Sequence, residues 1–138
     1  MVGSPPAVTA PRCVLDASAV LAWIFRERGG QAVERVLGHA ALSTVNLAEV
    51  LCRADQVGMA TTSLTDELEA TGVRFVPFTE EDAGLVEEVH RSARRELPPL
   101  SLADCCCLAT GIRLNLPVVG GDQAWEALRL GIEIHPIR

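Results

Sequence analysis

The chain has 138 residues, 49% hydrophobic and 22% charged, a composition that fits one hydrophobic core and excludes global disorder. Its formal net charge is −6, and all 12 cations are arginine. The absence of lysine excludes a P-loop, which needs that residue on its phosphates. It also excludes the phosphoacceptor and aspartate-nucleophile phosphatase classes, which place an acid after a strand as this chain does but use a lysine as well.

No apolar run reaches the ~18 residues of a membrane span. The segment Met1-Val2-Gly3-Ser4-Pro5-Pro6 lacks the basic flank and apolar block of a secretory signal, so a cytoplasmic protein is expected. Residues 1–12 hold three prolines and no periodicity and read as a mobile tail before a domain over 13–138. Cys13-Val14-Leu15 reads as a short buried strand, Ser18 to Glu27 as an apolar helix and Gly30 to Leu37 as a second short helix. A strand over His39 to Thr44 precedes a helix from Asn46 to Val57, stopped by Gly58. Ser63 to Ala70 reads as a helix and Val73 to Val76 as a strand ended by Pro77. Thr79 caps a helix that runs to about Arg95, with Asp82 at its third position. Leu97-Pro98-Pro99-Leu100 breaks the pattern, and Ser101 caps a helix reaching about Asn115. Pro117-Val118-Val119 is a strand, Gln123 to Leu130 a helix and Ile132 to Ile137 a last strand. Strands alternating with helices imply a three-layer α/β/α sandwich around a mostly parallel sheet of four to five strands.

Five cysteines (Cys13, Cys52, Cys105, Cys106 and Cys107) contain no C-x-x-C pair. Neighbours in the Cys105–Cys107 run diverge by ~100° on a helix, so they build neither a disulfide nor a zinc site. They are expected to be small buried hydrophobes in a reducing compartment. His39, His90 and His135 fall on different elements and do not form a metal cluster. Trp23 and Trp125 lie in apolar helical patterns that suit core packing better than base stacking. Arg26, Arg28, Arg53 and Arg113 are candidates for a phosphate-binding rim, with solvated surface positions as the alternative.

Ligands of open parallel sheets bind beyond the carboxyl ends of the strands. Asp16 follows the first strand, Glu49 lies early in the helix after the second, and Asp122 follows Val118-Val119-Gly120-Gly121. Asp104 is the only carboxylate of the helix Leu102–Leu114, which is apolar almost all round and should be buried. Each acid also has a structural reading. Asp16 and Asp122 suit helix N-caps, Ser101-x-x-Asp104 suits a capping box, and Glu49 faces Arg53 at i,i+4. Together, however, four acids address one sheet edge. Two carboxylates about 4 Å apart repel by about 4 kcal/mol at an effective dielectric of about 20, so such a cluster needs a cation, or some of its members must protonate. Oxygen-only ligands point to Mg²⁺ or Mn²⁺ in preference to zinc.

The segments Val14-Leu15-Asp16-Ala17-Ser18, Asn46-Leu47-Ala48-Glu49-Val50, Leu100-Ser101-Leu102-Ala103-Asp104 and Gly121-Asp122-Gln123-Ala124-Trp125 resemble the four acidic motifs of the PIN domain. More narrowly, they resemble the toxin ribonucleases of VapBC toxin–antitoxin modules, over about residues 13–138. The resemblance implies that Asp16, Glu49, Asp104 and Asp122 are catalytic and bind one or two Mg²⁺ or Mn²⁺ ions. It implies hydrolysis of RNA by a metal-activated water, leaving 5′-phosphate and 3′-hydroxyl ends, with Ser18 supporting the site through a hydrogen bond. It also implies a cognate antitoxin that lays a segment on the Ser18–Glu27 helix and pushes a cationic side chain into the acids, and a homodimer. The chain departs from the family pattern twice: Gly120 stands where Thr or Ser is usual, and Gln123 where Arg is frequent. Two rival readings are a PIN-like binding module impaired at Gly120, and a phosphatase acting on small phosphate esters.

Overall fold

The computed structural model describes residues 10–94 and 100–137. Its five strands are β1 (Cys13–Leu15), β2 (Ala40–Ser43), β3 (Arg74–Val76), β4 (Val118–Val119) and β5 (Ile134–His135). Its helices are α1 (Ala17–Ile24), α2 (Gly30–Glu34), α3 (Thr44–Gln56), α4 (Leu64–Ala70), α5 (Glu80–Ala93) and α6 (Leu102–Leu114). The sheet has the order β3-β2-β1-β4-β5, and all its pairings are parallel. The α/β class read from the sequence therefore stands, with five strands, all paired in parallel, among the described residues.

Period-2 alternation along the strands divides the core between the two faces. Cys13, Leu15, Ala40 and Leu42 pack with Val20, Val33, Val50 and Leu68 of α1 to α4. Val14, Ala41 and Val118 pack with Val89 of α5 and with Cys107 and Leu108 of α6 on the opposite face. Helix α6 is buried from Cys105 to Gly111, which explains its apolar circumference and its three consecutive cysteines. Cys52 breaks the expected pattern: it is exposed on α3, while the other four cysteines are buried.

Several boundaries differ from the sequence expectations. The first helix ends at Ile24, not Glu27, because Arg26 turns into the left-handed region (φ 55°) and the Glu27 N–H closes back onto the Ala22 carbonyl at 2.8 Å. The second stops at Glu34, and a 3-10 turn over Leu37–His39 precedes β2, so His39 does not begin a strand. Helix α3 starts at Thr44, capped by Ser43, whose hydroxyl accepts from the N–H groups of Val45 (3.1 Å) and Asn46 (3.3 Å). Residues Gln123–Ala127 form a 3-10 helix instead of an α-helix to 130. The expected strand 132–137 shrinks to β5, since its partner β4 is itself two residues long, confined between Pro117 and Gly120. The expected tail lies outside the described residues up to 9, as do 97–99 of the proline loop and the end expected at Arg95. Among the described residues no helix is long and apolar enough to cross a membrane.

The chain builds β1, β2 and β3 outward, then crosses back over β1 to lay down β4 and β5. The carboxyl ends of β1 and β4 thus flank the point where strand order reverses, the place where such sheets bind ligands. Asp16 follows β1 directly and Gly120 follows β4.

Candidate functional site

Asp16 caps α1 in extended backbone, and its side chain is 4% exposed. Oδ2 accepts from the Ser18 hydroxyl at 2.6 Å and from the Ser18 N–H at 3.2 Å. Oδ1 is buried with no hydrogen-bond partner. Burial raises its pKa most, the Ser18 hydroxyl opposes that, and the charge of Asp104 raises it further. A carboxylate with one satisfied and one orphaned oxygen in a dry setting is an unusual thing for a fold to keep.

Glu49 and Asp104 stand at the flanks of Asp16, both half-buried. Burial first, then the charge of Asp16, raises the Glu49 pKa; Asp104 adds to it, while the Asn46 amide and Arg53 lower it. Asp104 completes a capping box on α6: the Ser101 hydroxyl accepts from its N–H at 3.0 Å, and its Oδ2 accepts from the Ser101 N–H at 3.2 Å. Cap and acidic neighbour are therefore the same residue, and the two readings open in the sequence do not compete. Three of the four candidate acids are electrostatically linked. Asp122 is exposed and caps the 3-10 turn, its Oδ1 accepting from the Ala124 N–H at 3.0 Å.

The turn after β4 is locked onto Asp16. Gly120 has φ 113°, and a Cβ there would lie 3.0 Å from the Cβ of Asp16 and 3.3 Å from Ser18 Oγ. The Gly121 N–H donates to that same Ser18 oxygen at 3.1 Å. The hydroxyl missing at 120 thus has no room, and the Ser18 hydroxyl joins Asp16 to the β4 turn. Below Asp16, the Cys107 thiol is fully buried and donates to the Leu15 carbonyl at 3.7 Å. Burial, and then the charges of Asp16 and Asp104, push its pKa well above the ordinary value, so it is a neutral thiol.

Arg113 and the two tryptophans singled out in the sequence have packing partners of their own. Arg113 is no rim residue; its guanidinium pairs with the fully buried Asp82 and donates to the Pro77 carbonyl at 3.2 Å, clasping α6 to the start of α5. Trp125 is buried and packs in the core, whereas Trp23 is half-buried at the end of α1. One residue of the site went unnoticed in the sequence. Asn46 is fully buried, its Nδ2 donates to the Ala103 carbonyl at 3.1 Å, and its Oδ1 has no partner. Its signal was positional: three residues before Glu49, it shares that residue's helix face.

Among the described residues no three carboxylate, imidazole or thiol groups already converge on a point where an ion would be held. What the site offers is an orphaned, buried carboxylate oxygen flanked by two more acids, all hard oxygen donors. That donor set fits a small divalent cation such as Mg²⁺ or Mn²⁺.

The model of the family described as the PIN domain matches residues 13–129. No curated protein matches the chain. Among solved structures, DNA-bound VapBC from Salmonella typhimurium is similar at 14% identity, over 93% of this chain and 99% of that one, with a TM-score of 0.72. A toxin–antitoxin complex from Klebsiella pneumoniae is similar at 14% identity, over 91% and 98%, with a TM-score of 0.70. FitAcB from Neisseria gonorrhoeae is similar at 19% identity, over 91% and 97%, with a TM-score of 0.68. At these identities the likeness is one of fold.

Proposed function

The chain belongs to the PIN-domain family, and on that premise we propose that it is a metal-dependent ribonuclease acting as the toxin of a type II toxin–antitoxin pair. The observation that carries the reading is the buried, unpartnered Oδ1 of Asp16 at the switch point, with Glu49 and Asp104 beside it. Asp16, Glu49 and Asp104 would hold Mg²⁺, with Mn²⁺ able to replace it, and Asp122 would join them from the exposed rim. When bound, such a cation supplies a water of lowered pKa and a Lewis-acid contact to the scissile phosphate.

The protein's own groups orient and exclude. Ser18 fixes one oxygen of Asp16 and leaves the other available. Cys107 is fully buried with its thiol donating to a backbone carbonyl, so it is not presented as a nucleophile, and the attacking group in this proposal is water. Hydrolysis in this way leaves 5′-phosphate and 3′-hydroxyl ends.

The partner would be an antitoxin. A groove of about 810 Å³ opens at the end of α1, lined by Trp23, Ile24, Met59 and Leu64 with Arg26 and Glu34 nearby. Apolar walls with mixed charge suit an extended or helical segment of a second protein. A homodimer in the cytoplasm completes the proposal.

Incubating labelled total RNA with the protein in Mn²⁺, Mg²⁺ or EDTA tests it. Discrete fragments in either metal, absent in EDTA and absent with Asp104→Asn, are expected. Fragments of equal yield in EDTA, or from Asp104→Asn, would overturn the assignment.

A further inference from the structure

Asn46 lies in the first turn of α3 and is fully buried, at a position where packing alone would favour an apolar side chain. Its Nδ2 donates across 57 residues of sequence to the Ala103 carbonyl, on the peptide that leads into Asp104. Glu49 stands on the same helix face, one turn along, and this side chain lowers the pKa of its carboxyl. Only the amide nitrogen can donate, so flipping the amide would set Oδ1 against the Ala103 oxygen, which fixes its orientation. The consequence is visible at the other end, where Oδ1 is buried without a partner. An amide kept dry at the expense of one of its own acceptors points to a role beyond filling space.

We propose that Asn46 is a positioning residue of the acidic site: its amide ties the helix carrying Glu49 to the first turn of the helix carrying Asp104, and so sets the spacing at which the two carboxylates meet a divalent cation. Neither Ser nor Thr has the reach of this amide to the Ala103 carbonyl, and Asp has no hydrogen to give. The inference rests on the metal-dependent reading above and deepens it.

Calorimetric titration of Mn²⁺ into wild type, Asn46→Ala, Glu49→Gln and the double variant tests it, with circular dichroism confirming that each is folded at the temperature used. Asn46→Ala is expected to bind Mn²⁺ tenfold or more weakly, as loss of a partner that orients a metal ligand does. In the Glu49→Gln background the same change is expected to cost less than threefold, since the group it orients is already altered. Should Asn46→Ala fail to fold, Asn46→Ser carries the same two expectations, because its hydroxyl is too short for the bridge. A folded Asn46 variant that binds Mn²⁺ within threefold of wild type overturns the proposal. So does a loss that persists undiminished in the Glu49→Gln background, which would mark a packing defect. Failure of wild type itself to bind Mn²⁺ is a different result, and overturns the metal-dependent reading together with this one.

Discussion

Asp16 is held in a state that costs stability for as long as nothing meets its free oxygen. Burial raises its folded pKa above the ordinary value of 3.8, so at neutral pH the ionised form is penalised in the folded protein only. That penalty fades as pH falls through the raised pKa and is gone below 3.8. Metal-free Asp16→Asn is therefore expected to melt above wild type at pH 7, the difference shrinking steadily towards pH 4, read by differential scanning calorimetry. Mn²⁺ at ten times its dissociation constant should stabilise wild type by about 1.4 kcal/mol and leave Asp16→Asn nearly unchanged. Asp82 shows the opposite sign. Burial works to raise its pKa, but the Arg113 hydrogen bond, the Thr79 N–H and the Arg113 charge outweigh it, and the net shift is downward. Its contribution is present above the ordinary 3.8 and is lost as pH drops below that. Arg113→Ala leaves the buried carboxylate alone and should cost about 3 kcal/mol in urea unfolding. A variant of unchanged stability but weaker RNA binding would return Arg113 to the rim.

Among the elements, the turn after β4 shows why a departure from the family pattern need not be a defect. At Gly120 the backbone has φ 113°, and a Cβ there would press on Asp16 and Ala19 at 3.0 and 3.1 Å. Introducing the hydroxyl that the family usually carries should therefore harm the site. Gly120→Ser is expected to destabilise by about 1–3 kcal/mol, the range for a non-glycine residue in strained backbone, and to weaken cleavage. Unaltered stability with higher activity would mean that the turn has room to adapt. Sequence patterns located β1, α6 and their caps well, because Val14-Leu15-Asp16 and Ser101-x-x-Asp104 carry local chemistry. They misjudged 123–130, where an N-cap and a buried Trp125 anchor only a short 3-10 turn.

At the scale of the whole molecule, strand order decides which residues meet. The acids after β1 and at the start of α6 are 88 positions apart in numbering, yet the crossover past β1 places them within electrostatic reach. Strand–helix alternation addresses Asp16, Glu49 and Asp122 to one sheet edge, and the apolar helix around Asp104 singles that acid out; the electrostatic link of Asp16, Glu49 and Asp104 agrees with that address. The role of Asn46 was not legible in the sequence: its place three residues before Glu49 gives the shared helix face, but the bond to Ala103 depends on how α3 packs against α6. Nor was the clasp of Arg113 on Asp82, which joins the end of the apolar helix α6 to the first turn of the amphipathic α5.

The central claim, that these acids hydrolyse RNA through water and a divalent cation, is tested most directly by the ends of the cleaved RNA. Fragments made in Mn²⁺ should carry 5′-phosphates, which a 5′-phosphate-dependent exonuclease digests without prior phosphorylation, and should vanish with Asp104→Asn. Fragments with 5′-hydroxyl and 2′,3′-cyclic phosphate ends, produced equally well in EDTA, would show attack by the RNA's own 2′-hydroxyl and contradict the account.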